Sequence, residues 1–166
     1  MRYQTMTPII ILVSLFLLAG DVAAQSDEAA KQMSNLDESG LALKGYDPVA
    51  YIVQNKAVKG NQSYWLRLGK AIYYFSTSKN RDLFKSDPVK YEPVYGGWCA
   101  YAMGKSGEKV EVDPETFKII GGKVYLYYNF YFTNTLKEWS KDEKNLKAKA
   151  DVNWKEIGIR ATSNSK

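Results

Sequence analysis

The stretch "SYWLRLGKAIYYFSTSKNRDLFKSDP", Ser63 to Pro88, decides the fold class. Tyr64-Trp65-Leu66-Arg67-Leu68 is rich in strand formers. Gly69-Lys70 fits a two-residue turn with glycine first, and Ile72 to Phe75 returns as the partner strand. After Phe75 the pattern changes. A hydroxyl residue caps, Leu83 and Phe84 supply an apolar side, and Pro88 stops the run. A hairpin that runs directly into a short helix laid on it is a unit of α+β architecture.

Working outward, "ETFKIIGGKVYLYYN", Glu115 to Asn129, reads as a second hairpin turning at Gly121-Gly122. On its return strand Val124, Leu126 and Tyr128 alternate with Tyr125 and Tyr127. One face is expected to be buried and the other to present tyrosines. Asp precedes Pro at Asp47-Pro48, Asp87-Pro88 and Asp113-Pro114, a signal for short helical turns or tight turns. In the tail, Phe132, Leu136 and Trp139 fall at helical spacing. After a break near Ser140-Lys141-Asp142, so do Leu146, Ala150, Trp154 and Ile157, with lysines on the other faces. The expected class is α+β: small antiparallel hairpin sheets covered by short helices, with a lysine-rich helical C-terminal segment.

The N-terminus carries a different message. Met1-Arg2 gives a positive start, an apolar run spans Ile9 to Gly20, and Val22 and Ala24 sit where a signal peptidase wants small residues. The run is shorter than the ~20 residues a spanning helix needs. Export with cleavage near Ala24 is expected, to a periplasmic or secreted location with no membrane span afterwards. Residues 25–40 are polar and read as a flexible leader. The folded domain is expected over 41–157, and 158–166 as a disordered tail.

The chain of 166 residues has a net charge of +5, a single cysteine and no histidine. The lone thiol precludes an internal disulfide. Modest positive charge carried mostly by lysine reads as a solvated surface, so a nucleic-acid partner is not expected. Without histidine, a Ser-His or Cys-His nucleophile and the zinc-protease helix are excluded. Asp113 and Glu115 flank Pro114 and read as the start of a turn before an acid–base pair.

Three stretches beside the first hairpin's own "GKAIYYFSTSKNRDLFKSDPVKYEPVYGGWCAYAM" complete a pattern: "GYDPVAY", "DPETFKIIGGKVYLYYN" and "KADVNW". Together they cover most of Gly45 to Trp154, and the chain resembles the YHS-domain family in its stand-alone exported type. The resemblance implies a small binding module, described for this family as metal-associated. In the metal-associated forms cysteines follow the first Asp-Pro and the "YYF" strand. Here those places hold Val49, Ala50, Ser76 and Thr77, none of them a soft ligand, and the family's histidine is missing.

The stretch "YGGWCAYAM", Tyr95 to Met103, offers the best soft pair. Cys99 and Met103 are four apart, so a helix would put both on one face. Copper(I) accepts such ligands. The competing reading is a packing thiol and a gap-filling methionine. Thirteen tyrosines and four tryptophans also suggest an aromatic cleft, for which Tyr46, Tyr51, Tyr95, Trp98 and Tyr101 are the candidates. The sequence-based expectation is a monomeric, exported, non-enzymatic module that binds a small ligand or a protein and carries no resident cofactor. The first rival is a copper-type binder using Cys99 and Met103. The second is an enzyme using carboxylate and tyrosine chemistry.

Overall fold

The computed structural model describes residues 33–163. The chain passes a tight turn at Leu43–Gly45 and enters helix α1 (Pro48–Gln54). Hairpin strands β1 (Asn61–Leu68) and β2 (Ala71–Phe75) follow, then α2 (Ser78–Ser86) and the single turn α3 (Pro88–Tyr91). A second tight turn, Val94–Gly97, leads to α4 (Ala100–Lys105). Strands β3 (Asp113–Ile120) and β4 (Lys123–Tyr127) form the second hairpin. A miniature hairpin, β5 (Asn129–Phe130) and β6 (Thr133–Asn134), precedes α5 (Thr135–Trp139) and the long α6 (Glu143–Ser163). The fold is α+β, with three separate antiparallel two-stranded sheets. No helix among the described residues is long and apolar enough to cross a membrane.

The first hairpin pairs Trp65 with Tyr74 and Leu68 with Ala71, closing at Gly69-Lys70. Only β2 alternates cleanly: Ala71, Tyr73 and Phe75 are buried, while β1 runs along the outside. Helix α1 starts because Asp47 caps it, its Oδ1 accepting the Val49 and Ala50 amides at 2.9 and 3.3 Å. Pro48 occupies the first helical position, where its missing N–H costs nothing. Asp87-Pro88 starts α3 in the same way. Asp113-Pro114 does not start a helix. It opens β3 across a register shift, and Asp113 accepts the Glu115 amide and the Thr116 hydroxyl.

Two hydrophobic cores lie on opposite sides of β4. Val124 and Leu126 join Val49, Tyr51, Phe75 and Phe84 in the first. Tyr125 and Tyr127 join Met103, Trp139 and Ala150 in the second. The tyrosine face is therefore buried rather than presented, because α4, α5 and α6 form a second layer over it. Gly104 lets the two longer elements of that layer meet: a Cβ there would overlap the Leu146 carbonyl oxygen.

Three further expectations are corrected. Phe132 does not belong to the apolar stripe of the tail; it stands in left-handed backbone at the tip of β5–β6, fully exposed. Helix α5 begins only at Thr135, capped by Asn134. The break after Trp139 is real, and Leu146, Ala150, Trp154 and Ile157 all pack into the second core. Helix α6 continues past residue 157 to Ser163, so the tail expected as disordered is helical over 158–163. The expected leader, where it is described, is tied down: Asn35 donates its amide to Gly96 O at 2.8 Å, and Leu36 bridges Ala42. The expected signal segment, 1–24, lies outside the described residues.

Candidate functional site

Two left-handed turns shape one cleft. Leu43-Lys44-Gly45 has φ of 56°, 51° and 79°, and Tyr95-Gly96-Gly97 has 54°, 61° and 83°. Glycine adopts such values freely. For Leu43 and Tyr95 the cost is about 1–2 kcal/mol each. Both side chains are buried and both line a cleft of about 440 Å³. The strap 33–36 closes one side, held by Asn35 to the Gly96 and Gly97 carbonyls. Gly96 is obligatory there, since a Cβ would run into the Met33 carbonyl.

Leu36, Leu43, Val94 and Trp154 give the cleft apolar walls. Its polar groups come as tyrosine–carboxylate pairs. The Tyr73 hydroxyl donates to Glu92 Oε1 at 2.9 Å, and the Tyr95 hydroxyl to Asp151 Oδ1 at 2.7 Å. Burial raises both phenols well above their usual range, Glu92 and Asp151 adding to the effect. Both tyrosines therefore stay protonated donors at ordinary pH. Asp151 is neutralised by Lys147 at 2.7 Å. Lys123 also lines the cleft, its ammonium donating to the Val89 carbonyl and keeping its charge. Glu92 accepts from the Tyr73 hydroxyl and forms no ion pair among the described residues. The cleft thus presents a half-buried carboxylate without a direct ion pair among the described residues, beside aromatic rings.

The residues singled out in the sequence are dispersed. Of the five aromatics, only Tyr95 lines this cleft. Tyr51 is fully buried, donates to Pro114 O at 2.9 Å, and packs edge-on against Phe117. Tyr46 donates to Glu115 Oε1 at 2.7 Å, a bond that lifts its phenol to about 12. Trp98 has a buried Nε1 with no partner among the described residues. Tyr101 borders a separate depression beside Cys99.

Cys99 is fully buried in the first core, with the Tyr128 amide 3.4 Å and the Thr135 hydroxyl 3.5 Å from its sulfur. Met103 is one turn on, its amide bonded to Cys99 O, but its side chain packs in the second core. Among the described residues no group of three or more His, Cys, Asp or Glu side chains could hold a metal ion.

The places where the family resemblance would put soft ligands converge on a different group. Asp47 is fully buried. Besides its two cap bonds, its Oδ2 accepts the Ser76 amide at 2.7 Å, the Ser76 hydroxyl at 2.6 Å and the Asn80 side chain at 2.7 Å. Thr77 caps α2 alongside. Val49, Ala50, Ser76 and Asn80 thus converge on one carboxylate that ties α1 to the end of β2 and to α2. It is occluded, with its oxygens taken up by bonds that organise the fold.

Sequence reasoning missed Leu43, Tyr73, Glu92, Asp151 and the strap. The one local signal was Gly96-Gly97, which marks a turn but not the left-handed tyrosine before it. The architecture is that of a two-layer α+β domain with a strained, tyrosine-lined cleft. Compared with known families, curated proteins and solved structures, the chain matches no family model, no curated protein and no solved structure.

Proposed function

We propose that this is an exported, YHS-like, non-enzymatic binding module whose site is the cleft between the two left-handed turns. Its ligand is a small organic cation with an apolar body. The observation that carries the reading is the coincidence of strain and cavity: both buried non-glycine residues held at positive φ, Leu43 and Tyr95, line the cleft. Such strain persists where the surrounding structure enforces it, and it clusters at ligand sites. Glu92 supplies the counter-charge and Trp154 supplies aromatic surface for an ammonium group, while Tyr73 and Tyr95, only 5% and 4% exposed, line the cleft with little open ring surface. The apolar walls take the remainder of the ligand.

Isothermal titration with 2-phenylethylammonium, octylammonium and octanoate tests this. The two ammonium ions should bind and octanoate should not. Glu92→Gln should weaken the ammonium complexes at least tenfold, about 1.4 kcal/mol, without lowering thermal stability. Octanoate binding as tightly as octylammonium would refute the assignment. So would a one-to-one copper(I) complex lost in Cys99→Ala, which would restore the metal reading despite the separation of the two sulfurs into different cores.

A further inference from the structure

The hairpin β5–β6 ends in a feature that nothing inside the domain explains. Phe130 pairs with Thr133, leaving Tyr131-Phe132 as a two-residue turn. Both turn residues are left-handed, with φ of 50° and 67°. Asn-Gly ordinarily fills such a turn, because asparagine and glycine tolerate positive φ. Here two aromatics do so, and they gain no burial in return: Tyr131 is 89% exposed and Phe132 fully so. Phe130 beside them is 38% exposed. The strain falls on two of three consecutive aromatic residues, and all three rings leave apolar surface in water.

The root, by contrast, is locked. Asn129 donates to the Thr116 hydroxyl at 2.9 Å, Asn134 caps α5, and the Thr135 amide and hydroxyl both bond Tyr128 O at 2.9 Å. Phe130 packs edge-on against Tyr128. The tip is a rigid aromatic wedge on a fixed base.

We infer that this wedge inserts into the interfacial region of a lipid bilayer and holds the protein on a membrane surface. Three observations favour a membrane over a second copy of the chain. First, three aromatic side chains at about 150–250 Å² each, one of them only 38% exposed, offer roughly 350–600 Å², short of the ~800 Å² per partner of a stable dimer. Second, a closed two-residue turn satisfies its flanking backbone groups within the hairpin, which lowers the cost of entering an apolar layer. Phenylalanine and tyrosine side by side suit a boundary with one apolar and one wet side. Third, the net charge of +5 attracts the chain to anionic headgroups. Lys44, 5.2 Å from the Phe130 ring, is shared with Glu111 at 3.5 Å. The root also holds Asp113, whose Oδ2 accepts from Asn129 at 3.5 Å, so it supplies no net positive charge, and the pull of anionic lipid comes from the whole molecule.

The test uses the exported protein, its N-terminus verified by intact mass so that the apolar run Ile9 to Gly20 is not what binds. It is sedimented with phosphatidylcholine vesicles, with and without phosphatidylglycerol. The protein should partition onto both, more strongly onto the anionic set. The double variant Tyr131→Asn/Phe132→Gly restores the preferred turn residues. It should melt at or above the parent's temperature and lose partitioning at least tenfold. A parent that ignores both vesicle types would overturn the inference. Equal binding by parent and variant, or binding abolished by salt alone, would also overturn it, reducing the interaction to charge. So would tip-dependent capture of one soluble protein without any lipid binding.

Discussion

The two main hairpins have similar sequences and opposite fates. Both turn at glycine and both carry aromatic residues on the return strand. Along β2 burial alternates: Ala71, Tyr73 and Phe75 go in, while Ile72 and Tyr74 stay half-buried. Along β4 every residue from Val124 to Tyr127 is buried, because Tyr125 and Tyr127 meet a second layer. Period-two patterning reports that a strand has two faces; it does not report how many layers cover them. The tyrosines are a clue, since a ring with a polar end suits a layer that closes late and retains hydroxyl partners.

The comparison can be broken at its largest joint first. Asp47→Ala removes the carboxylate that joins α1, β2 and α2, stranding buried amides and the Asn80 side chain. A loss of about 4–5 kcal/mol is expected in denaturant unfolding. A loss near 1 kcal/mol would mean that the first layer holds without its hub.

Next, Trp139 and Trp65 contrast the two sheets directly. Trp139 is fully buried against Tyr125 and Tyr127, so Trp139→Ala should cost about 3–5 kcal/mol. Trp65 is 53% exposed on the outer strand, and Trp65→Ala should cost no more than about 1 kcal/mol. Similar losses from the two would show that the hairpins are covered alike.

The smallest effect is on pH. Glu143 clasps the second layer, accepting from Lys118 and from the Trp139 indole at 3.1 Å. The Lys118 bond holds its carboxyl below the ordinary value of 4.5, outweighing the opposing effect of burial. A depressed carboxyl contributes stability above its unfolded value and loses it as pH falls through the folded one. Melting temperature should therefore fall from about pH 4.5 downward, with a shallower fall in Glu143→Gln. Identical acid slopes would remove Glu143 from the account.

Local chemistry made much of the fold legible. Gly69-Lys70, Gly121-Gly122, Asp47-Pro48 and the hydroxyl cap before α2 each act within a few residues, and each forms as read. Phe132 was misplaced because its spacing to Leu136 matches a helix, while the hairpin that strands it depends on the Phe130–Thr133 pairing. The cleft was largely hidden. Tyr73 meets Glu92 and Tyr95 meets Asp151 across separations that no motif encodes. Left-handed Leu43 is imposed by tertiary bonds, including Gly60 N to Gly45 O at 2.8 Å. The hydrogen-bond hub on Asp47 was legible only as a helix cap, because its other partners, Ser76 and Asn80, lie 29 and 33 residues further along the chain.

The most direct test of the central claim is a crystal structure of the protein with 2-phenylethylammonium. The account predicts the ammonium group within hydrogen-bonding distance of the Glu92 carboxylate. Its ring should lie against Leu43 and Trp154, with Leu43 and Tyr95 still at positive φ. An empty cleft with the ligand seated elsewhere, or a ligand whose ammonium points away from Glu92 into solvent, would contradict it.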